Sequence, residues 1–281
     1  MTAVHDLLRR LWPGEAVTST ESLTGGVSAQ VTALTLRQMD GAVRRVVVRE
    51  YGARNLSANP DVAAQEFALL RFLHRAGLPV PEPLWQESGV LVQTLMDGQS
   101  GAEGGADPES LAHFLARLHA LEPQGLPLRV LPGSPAPQGL PDESLSESRI
   151  RAALAAHPPP LGRLSVLHGD LWPGNTLWSG GALSAVLDWE DAGLGDPLAD
   201  VGNTRLELLF FHGQSAMQDF TRAYAGAGGT DLSPLPIWDL RAALRPCGRM
   251  QTWGLEAGQE RTMRERHHWF VGQALAAIPA S

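Results

Sequence analysis

Two short polar loops, each entered from an apolar run, constrain this chain more than any other feature. The first is Leu167-His168-Gly169-Asp170-Leu171-Trp172-Pro173-Gly174-Asn175 and the second is Leu187-Asp188-Trp189-Glu190-Asp191. They hold an Asp, an Asn five positions later and a second Asp thirteen beyond that. Asp170 precedes the turn-forming run Trp172-Pro173-Gly174, which places its carboxylate on a tight loop after a strand over 164–167. Asp188 ends the apolar run Ala185-Val186-Leu187.

An Asp beside a turn often does no more than cap backbone N–H groups. Three oxygen-bearing side chains at this spacing point instead to phosphoryl transfer from a magnesium nucleotide. One carboxylate, Asp170, receives the proton of an attacking hydroxyl. The neutral carbonyl oxygen of Asn175 and the anionic oxygen of Asp188 are hard ligands suited to Mg²⁺. The three are expected to converge around one divalent ion. His168 is a candidate base, or else a packed imidazole that orients the loop through backbone hydrogen bonds. Asp196 and Asp200 read as a helix N-cap and a first-turn anchor. Glu190 and Asp191 lie close to the metal in sequence, without a pattern that separates a supporting role from solvation.

The remainder divides by periodicity. Val43 to Glu50 is β-branched, Val27 to Leu36 alternates, and Gly89 to Met96 reads as a buried strand ended by Asp97-Gly98. A helical stripe (Val62, Phe67, Leu69, Leu70, Leu73) runs from Asp61 to Arg75 and stops at Gly77. From there the chain becomes helical. Asp107-Pro108 opens a helix through Leu111, Leu115, Leu118 and Leu121, and another spans about 144–156. The Pro- and Gly-rich residues 123–141 form an irregular connection. Helices follow over 198–211, 216–225 and 237–277, the last broken at Pro246. The expectation is two lobes sharing a cleft: strand-rich residues 1–93, a hinge at 94–98 and helical residues 99–281.

The 281 residues are 43% hydrophobic and 19% charged, with a net charge of −8. That balance disfavours nucleic-acid partners, and no apolar run reaches membrane-spanning length. Cys247 is the one cysteine, so neither an internal disulfide nor a cysteine-based zinc site is possible, and the cytoplasm is the expected setting. Every Lys or Arg position is Arg. A Walker-type phosphate loop, which needs Lys, is therefore excluded. A two-metal phosphoesterase needs several His ligands that these loops lack.

The order His-Gly-Asp, Asn five after the Asp, then Asp-Trp followed by Gly-Asp-Pro resembles the aminoglycoside phosphotransferase family. Leu115 to Leu121 also resembles a helix common there, and the likeness spans roughly residues 15–225. The resemblance implies an α+β, two-lobed protein-kinase-like fold, with a small antiparallel-sheet N-lobe and a larger, mainly helical C-lobe. It implies ATP (with GTP open) and Mg²⁺ as cofactors, Asp170 as catalytic base, and Asn175 and Asp188 as metal ligands. Arg49 falls at the strand position of the phosphate-binding cation and Glu66 at that of its ion-pair partner, although parity leaves Arg45 and Glu50 open. Gly25-Gly26 falls at the nucleotide loop, where an ordinary hairpin turn fits the residues equally. Thr94 and Met96 fall at the adenine-binding hinge.

The acceptor is a small-molecule hydroxyl: an aminoglycoside, amino sugar, amino alcohol or sugar. Glu207, Asp219, Glu256, Glu260 and Glu265 would favour an amine, but interleaved arginines suit a solvated helix face as well. Trp238, Trp253 and Trp269 either line a pocket or fill the core, and the core is the expectation. The competing reading is a kinase-like binding protein without turnover, suggested by Arg at the usual Lys position and the incomplete glycine loop.

Overall fold

In the computed structural model, residues 2–23, 29–123, 125–131, 139–160, 162–228 and 230–278 are described. The chain divides into two compact units, Met1–Asp97 and Gly98–Ser281.

In the first unit, α1 (Thr2–Leu11) precedes β1 (Ala16–Leu23), β2 (Ala29–Arg37) and β3 (Val43–Tyr51). Then come α2 (Ala53–Ala58), α3 (Val62–Arg75), β4 (Pro83–Glu87) and β5 (Val90–Thr94). The strands form one antiparallel sheet in the order β1-β2-β3-β5-β4. Because side chains alternate across a strand, β3 serves both faces. Val46 and Val48 join Leu34, Leu36 and Val92 beneath Leu7 and Leu8 of α1. Val47, Arg49 and Tyr51 take the other side, and there Arg49 and Tyr51 meet Glu66 of α3. Helix α3 buries Leu69, Leu70 and Leu73 and packs on β4 and β5. It ends as the sequence suggests: Gly77 turns left-handed (φ 72°), and Leu78 N–H returns to the Leu73 carbonyl at 3.1 Å.

The second unit begins with β6 (Gln99–Ser100), α4 (Gly101–Gly104) and α5 (Pro108–His119), and α6 follows over Glu147–Ala156. Asp107 caps α5 by accepting the Ser110 N–H at 2.9 Å, with Pro108 at the first helical position. Next are β7 (Ser165–Leu167), β8 (Thr176–Ser179), β9 (Ala182–Val186) and β10 (Gly193–Gly195). The helices α7 (Pro197–Gly228), α8 (Leu235–Ala243) and α9 (Ala257–Ala277) complete it. Helix α7 is central, packing on α5, α8 and α9.

Several elements depart from the periodicity reading. The 198–211 and 216–225 helices are one run interrupted at Gly213 (φ 86°, ψ −176°), with the Arg266 guanidinium on the Phe210 carbonyl at 2.7 Å beside the break. The break expected near Pro246 is far wider, with α8 ending at Ala243 and α9 starting at Ala257. Trp238 is buried as expected, but Trp253 and Trp269 are 41% and 39% exposed and do not fill the core. The β8–β9 hairpin was not anticipated. Its two-residue turn is Gly180-Gly181 with φ 58° and 82°, the pairing of positive φ angles that tight hairpins require.

Candidate active site

Strand pairing brings the two polar loops together. The first loop runs from β7 to β8 and the second from β9 to β10; β8 pairs with β9 and β10 with β7. Both ends of each loop are thus tied to the other. The two loops approach closely at Gly169. Its φ is 83°, and a Cβ there would run into the Asp191 carbonyl, so glycine is required on two counts.

His168 is fully buried and both ring nitrogens meet backbone. Nε2 lies 2.9 Å from the Leu187 carbonyl, and Nδ1 accepts the Asp170 N–H at 3.2 Å. Nδ1 thus accepts, while Nε2 faces an acceptor. Of the two roles open to His168, the geometry matches the orienting one. The ring also lies 4.5 Å from the buried Trp189, whose indole N–H donates to the Val186 carbonyl at 3.0 Å.

Asn175 ends a single 3-10 turn over Pro173–Asn175. Its Nδ2 donates to the Asp170 carbonyl at 3.0 Å, which sets the direction of the amide oxygen. Its own carbonyl accepts the Leu187 N–H at 2.8 Å, next to Asp188. Asp188 takes a left-handed conformation (φ 64°), which Asp tolerates better than most residues. The Asn175 side chain is thus tied to the Asp170 carbonyl and the Asn175 carbonyl to the residue before Asp188, which links the stretches that carry the three side chains. Among the described residues no group of three or more His, Cys, Asp or Glu is arranged to hold a metal. One carboxylate and one amide are hard oxygen donors of the kind that would suit Mg²⁺.

Asp170 is half-buried. Burial raises its pKa, the charges of Arg245 and His168 oppose that, and Asp191 and Asp188 add to it; the net direction is up. The Arg245 partner was not foreseen from sequence. Its Nη1 donates to the Gly169 carbonyl at 2.7 Å and its Nη2 to the Asp170 carboxylate. Arg245 lies 75 positions after Asp170, so no local spacing could have revealed it.

The loop is anchored from α7. Asp200 accepts the His168 N–H at 2.7 Å and the Gly169 N–H at 2.9 Å, and His119 Nε2 lies 3.4 Å away. Burial pushes the Asp200 carboxyl up, but the His119 hydrogen bond and charge, the His168 charge and the Gly169 N–H outweigh it and hold the pKa low. Asp196 accepts the Leu198 N–H at 2.9 Å at the start of the same helix, as expected of an N-cap.

In the first unit, Arg49 is 7% exposed and its Nη1 lies 4.0 Å from Glu66 Oε1, while Tyr51 donates to the other Glu66 oxygen. Arg45, with the same parity, is exposed and pairs with Asp97. Burial thus separates two arginines that alternation alone could not. Thr94 Oγ1 accepts the Glu82 N–H at 2.9 Å and contacts the half-buried Met96. Gly25 and Gly26 lie outside the described residues.

The description "phosphotransferase enzyme family" belongs to the family model that matches residues 20–244. No curated protein sequence matches the chain. Among solved structures, the macrolide 2'-phosphotransferase MphH from Brachybacterium faecium is 20% identical, covering 95% of this chain and 98% of its own, with a TM-score of 0.64. The GDP complex of aminoglycoside 2'-phosphotransferase-IIIa is 19% identical over 98% of this chain and 96% of its own, with a TM-score of 0.66. Choline kinase LicA from Streptococcus pneumoniae is 17% identical over 97% and 98%, with a TM-score of 0.63. At these identities the structures establish a shared kinase-like fold, an antiparallel-sheet region followed by a mainly helical one. With the family model matching most of the chain, the protein belongs to the phosphotransferase enzyme family.

Proposed function

We propose that the protein transfers the γ-phosphoryl group of ATP to a hydroxyl of a small molecule, with Asp170 as the base. The observation that supports this reading is the pair of hydrogen bonds that tie Asn175 to the Asp170 carbonyl and to Leu187, the residue before Asp188. The acceptor O–H gives its proton to Asp170 as its oxygen bonds to the γ-phosphorus. The bond from that phosphorus to the bridging oxygen breaks, and the nucleoside diphosphate leaves. A raised pKa suits Asp170 to this task, because a carboxylate of ordinary pKa is a weak proton acceptor near neutrality.

Asn175 and Asp188 would hold magnesium, which when bound neutralises charge on the triphosphate. His168 and Asp200 keep the Asp170 loop in place without exchanging protons with substrate. Arg49, steadied by Glu66, is the phosphate-binding cation of the first unit, in the place more often held by Lys, and Thr94 with Met96 forms the adenine-contacting hinge segment. The fork of Arg can bridge two phosphate oxygens where Lys offers a point charge. Gly25-Gly26 is assigned to the phosphates on resemblance alone. We place the reaction in the cytoplasm; among the described residues no helix is long and apolar enough to cross a membrane.

The test is to screen purified protein with Mg-ATP and Mg-GTP against amino sugars, amino alcohols, sugars and nucleosides. Acceptor-dependent release of nucleoside diphosphate that stops when EDTA removes magnesium is expected. Nucleotide binding with no turnover for any acceptor would favour a non-catalytic role.

A further inference from the structure

Helix α7 turns one face toward the Asp170 loop over two successive turns. Thr204, Glu207 and Phe211 stand at i, i+3 and i+7 and share that face. Thr204 Oγ1 donates to the Leu171 carbonyl at 3.2 Å, as Asn203 Nδ2 also does at 3.2 Å. Phe211 meets Trp172, ring centroids 5.3 Å apart. Glu207, between them, experiences the charges of Arg245 and Asp170; burial and Asp170 carry its pKa to about 7 despite the opposing Arg245. Glu207, Phe211, Trp172 and Asp170 are all partly exposed, so this face is open to a ligand.

Arg245 adds the cation. It makes one contact to a carbonyl and one to Asp170, leaving part of its five-donor fork for a further partner. It lies one residue past the segment that the family model matches. An acceptor bringing a positive charge to Asp170 would set it beside this guanidinium. An acceptor carrying a carboxylate would instead draw the guanidinium to itself in a bidentate pair and leave Asp170 to receive the hydroxyl proton.

Resting on the phosphotransferase reading, we propose that Arg245 is a specificity-determining residue that anchors an acidic group of the acceptor. The acceptor is thus a hydroxy acid whose carbon chain lies against Trp172 and Phe211, and not a polycationic amino sugar.

Three probes of equal chain length isolate the charge: 4-hydroxybutyrate, butane-1,4-diol and 4-aminobutan-1-ol, each supplied with Mg-ATP and followed by ³¹P NMR of the phosphorylated product. The wild type should show the highest kcat/KM for 4-hydroxybutyrate and the lowest for the amine. In Arg245→Gln the kcat/KM ratio of 4-hydroxybutyrate to the diol should fall at least tenfold, mainly through KM, and Arg245→Lys should restore part of it. An equal loss for all three probes would reduce Arg245 to a structural role and overturn the inference. So would a wild-type preference for the amine. If no probe is phosphorylated while kanamycin or water still drives Mg-ATP consumption, the hydroxy-acid assignment fails and the kinase reading stands. If Mg-ATP is consumed under none of these conditions, both fail.

Discussion

At the first turn of α7 the Asp200 carboxylate is enclosed and takes hydrogen bonds from two backbone N–H groups and His119. Two residues along the loop that it anchors, the Asp170 carboxylate is half exposed and meets the guanidinium of Arg245, itself on the surface. The two groups are chemically identical and their pKa values move in opposite directions, Asp200 down and Asp170 up. The difference lies in what surrounds them. Fixed donors stabilise a buried charge and make it architectural. Burial without enough donors leaves a carboxylate ready to take a proton, which is what a base requires.

The comparison breaks most visibly at Asp170. Asp170→Ala should lower kcat by about 10³-fold, within the range for losing a general base. Its KM for Mg-ATP should stay nearly unchanged, since the side chain acts on the acceptor, and its unfolding midpoint should not fall. Steady-state kinetics with differential scanning calorimetry measure both; wild-type turnover in this variant would end the assignment of the base.

Asp200→Ala should do the reverse in kind, damaging the fold first. It strands the buried N–H groups of His168 and Gly169 and the His119 ring, at a cost of about 3 kcal/mol. For a unit of this size that lowers the midpoint by roughly 6–12 °C. A variant as stable as the wild type but inactive would show that Asp200 acts in the chemistry and not beneath it.

Glu207 sharpens the same contrast through pH. An ordinary Glu carboxyl titrates near 4.5, and burial raises that of Glu207 to about 7 in the fold. Below about 4.5 it is protonated in both states and costs nothing. Between the two values the unfolded chain ionises first, so stability falls as pH rises, and above about 7 the whole penalty is present. Partial exposure limits that penalty to about 1–2 kcal/mol. Glu207→Gln should therefore raise the unfolding midpoint at pH 8 by a few degrees and leave it unchanged at pH 4. An equal gain at both pH values would mean that packing, not ionisation, sets the effect.

The same contrast explains what could be read in the chain. The two loops that carry Asp170, Asn175 and Asp188 were legible as a candidate site because their turn residues and flanking apolar runs lie within 22 positions. The Asp107-Pro108 helix start and the Gly77 stop were legible because capping is local. Arg49 needed the fold: alternation gave it the same facing as Arg45, and only burial against Glu66 distinguished them. Arg245 was invisible because its partner lies across α7 and α8 and nothing nearby marks it. Trp253 lies in the segment between α8 and α9, whose length Pro246 alone did not signal, and Trp269 stands on the exposed face of α9.

Asp107 supplies the smallest effect and the reference for the other aspartates. Its carboxylate accepts the Ser110 N–H and hydroxyl at the start of α5, on the surface, and touches neither loop. Asp107→Ala removes one cap, worth about 1 kcal/mol, and solvent can satisfy the N–H that is released. The unfolding midpoint should drop by roughly 2–4 °C with kcat and KM unchanged. Asp107→Asn, which still accepts the Ser110 N–H, should recover most of that loss. A drop as large as that of Asp200→Ala would mean that exposure does not rank these carboxylates, and the division between architectural and reactive aspartates would lose its physical basis.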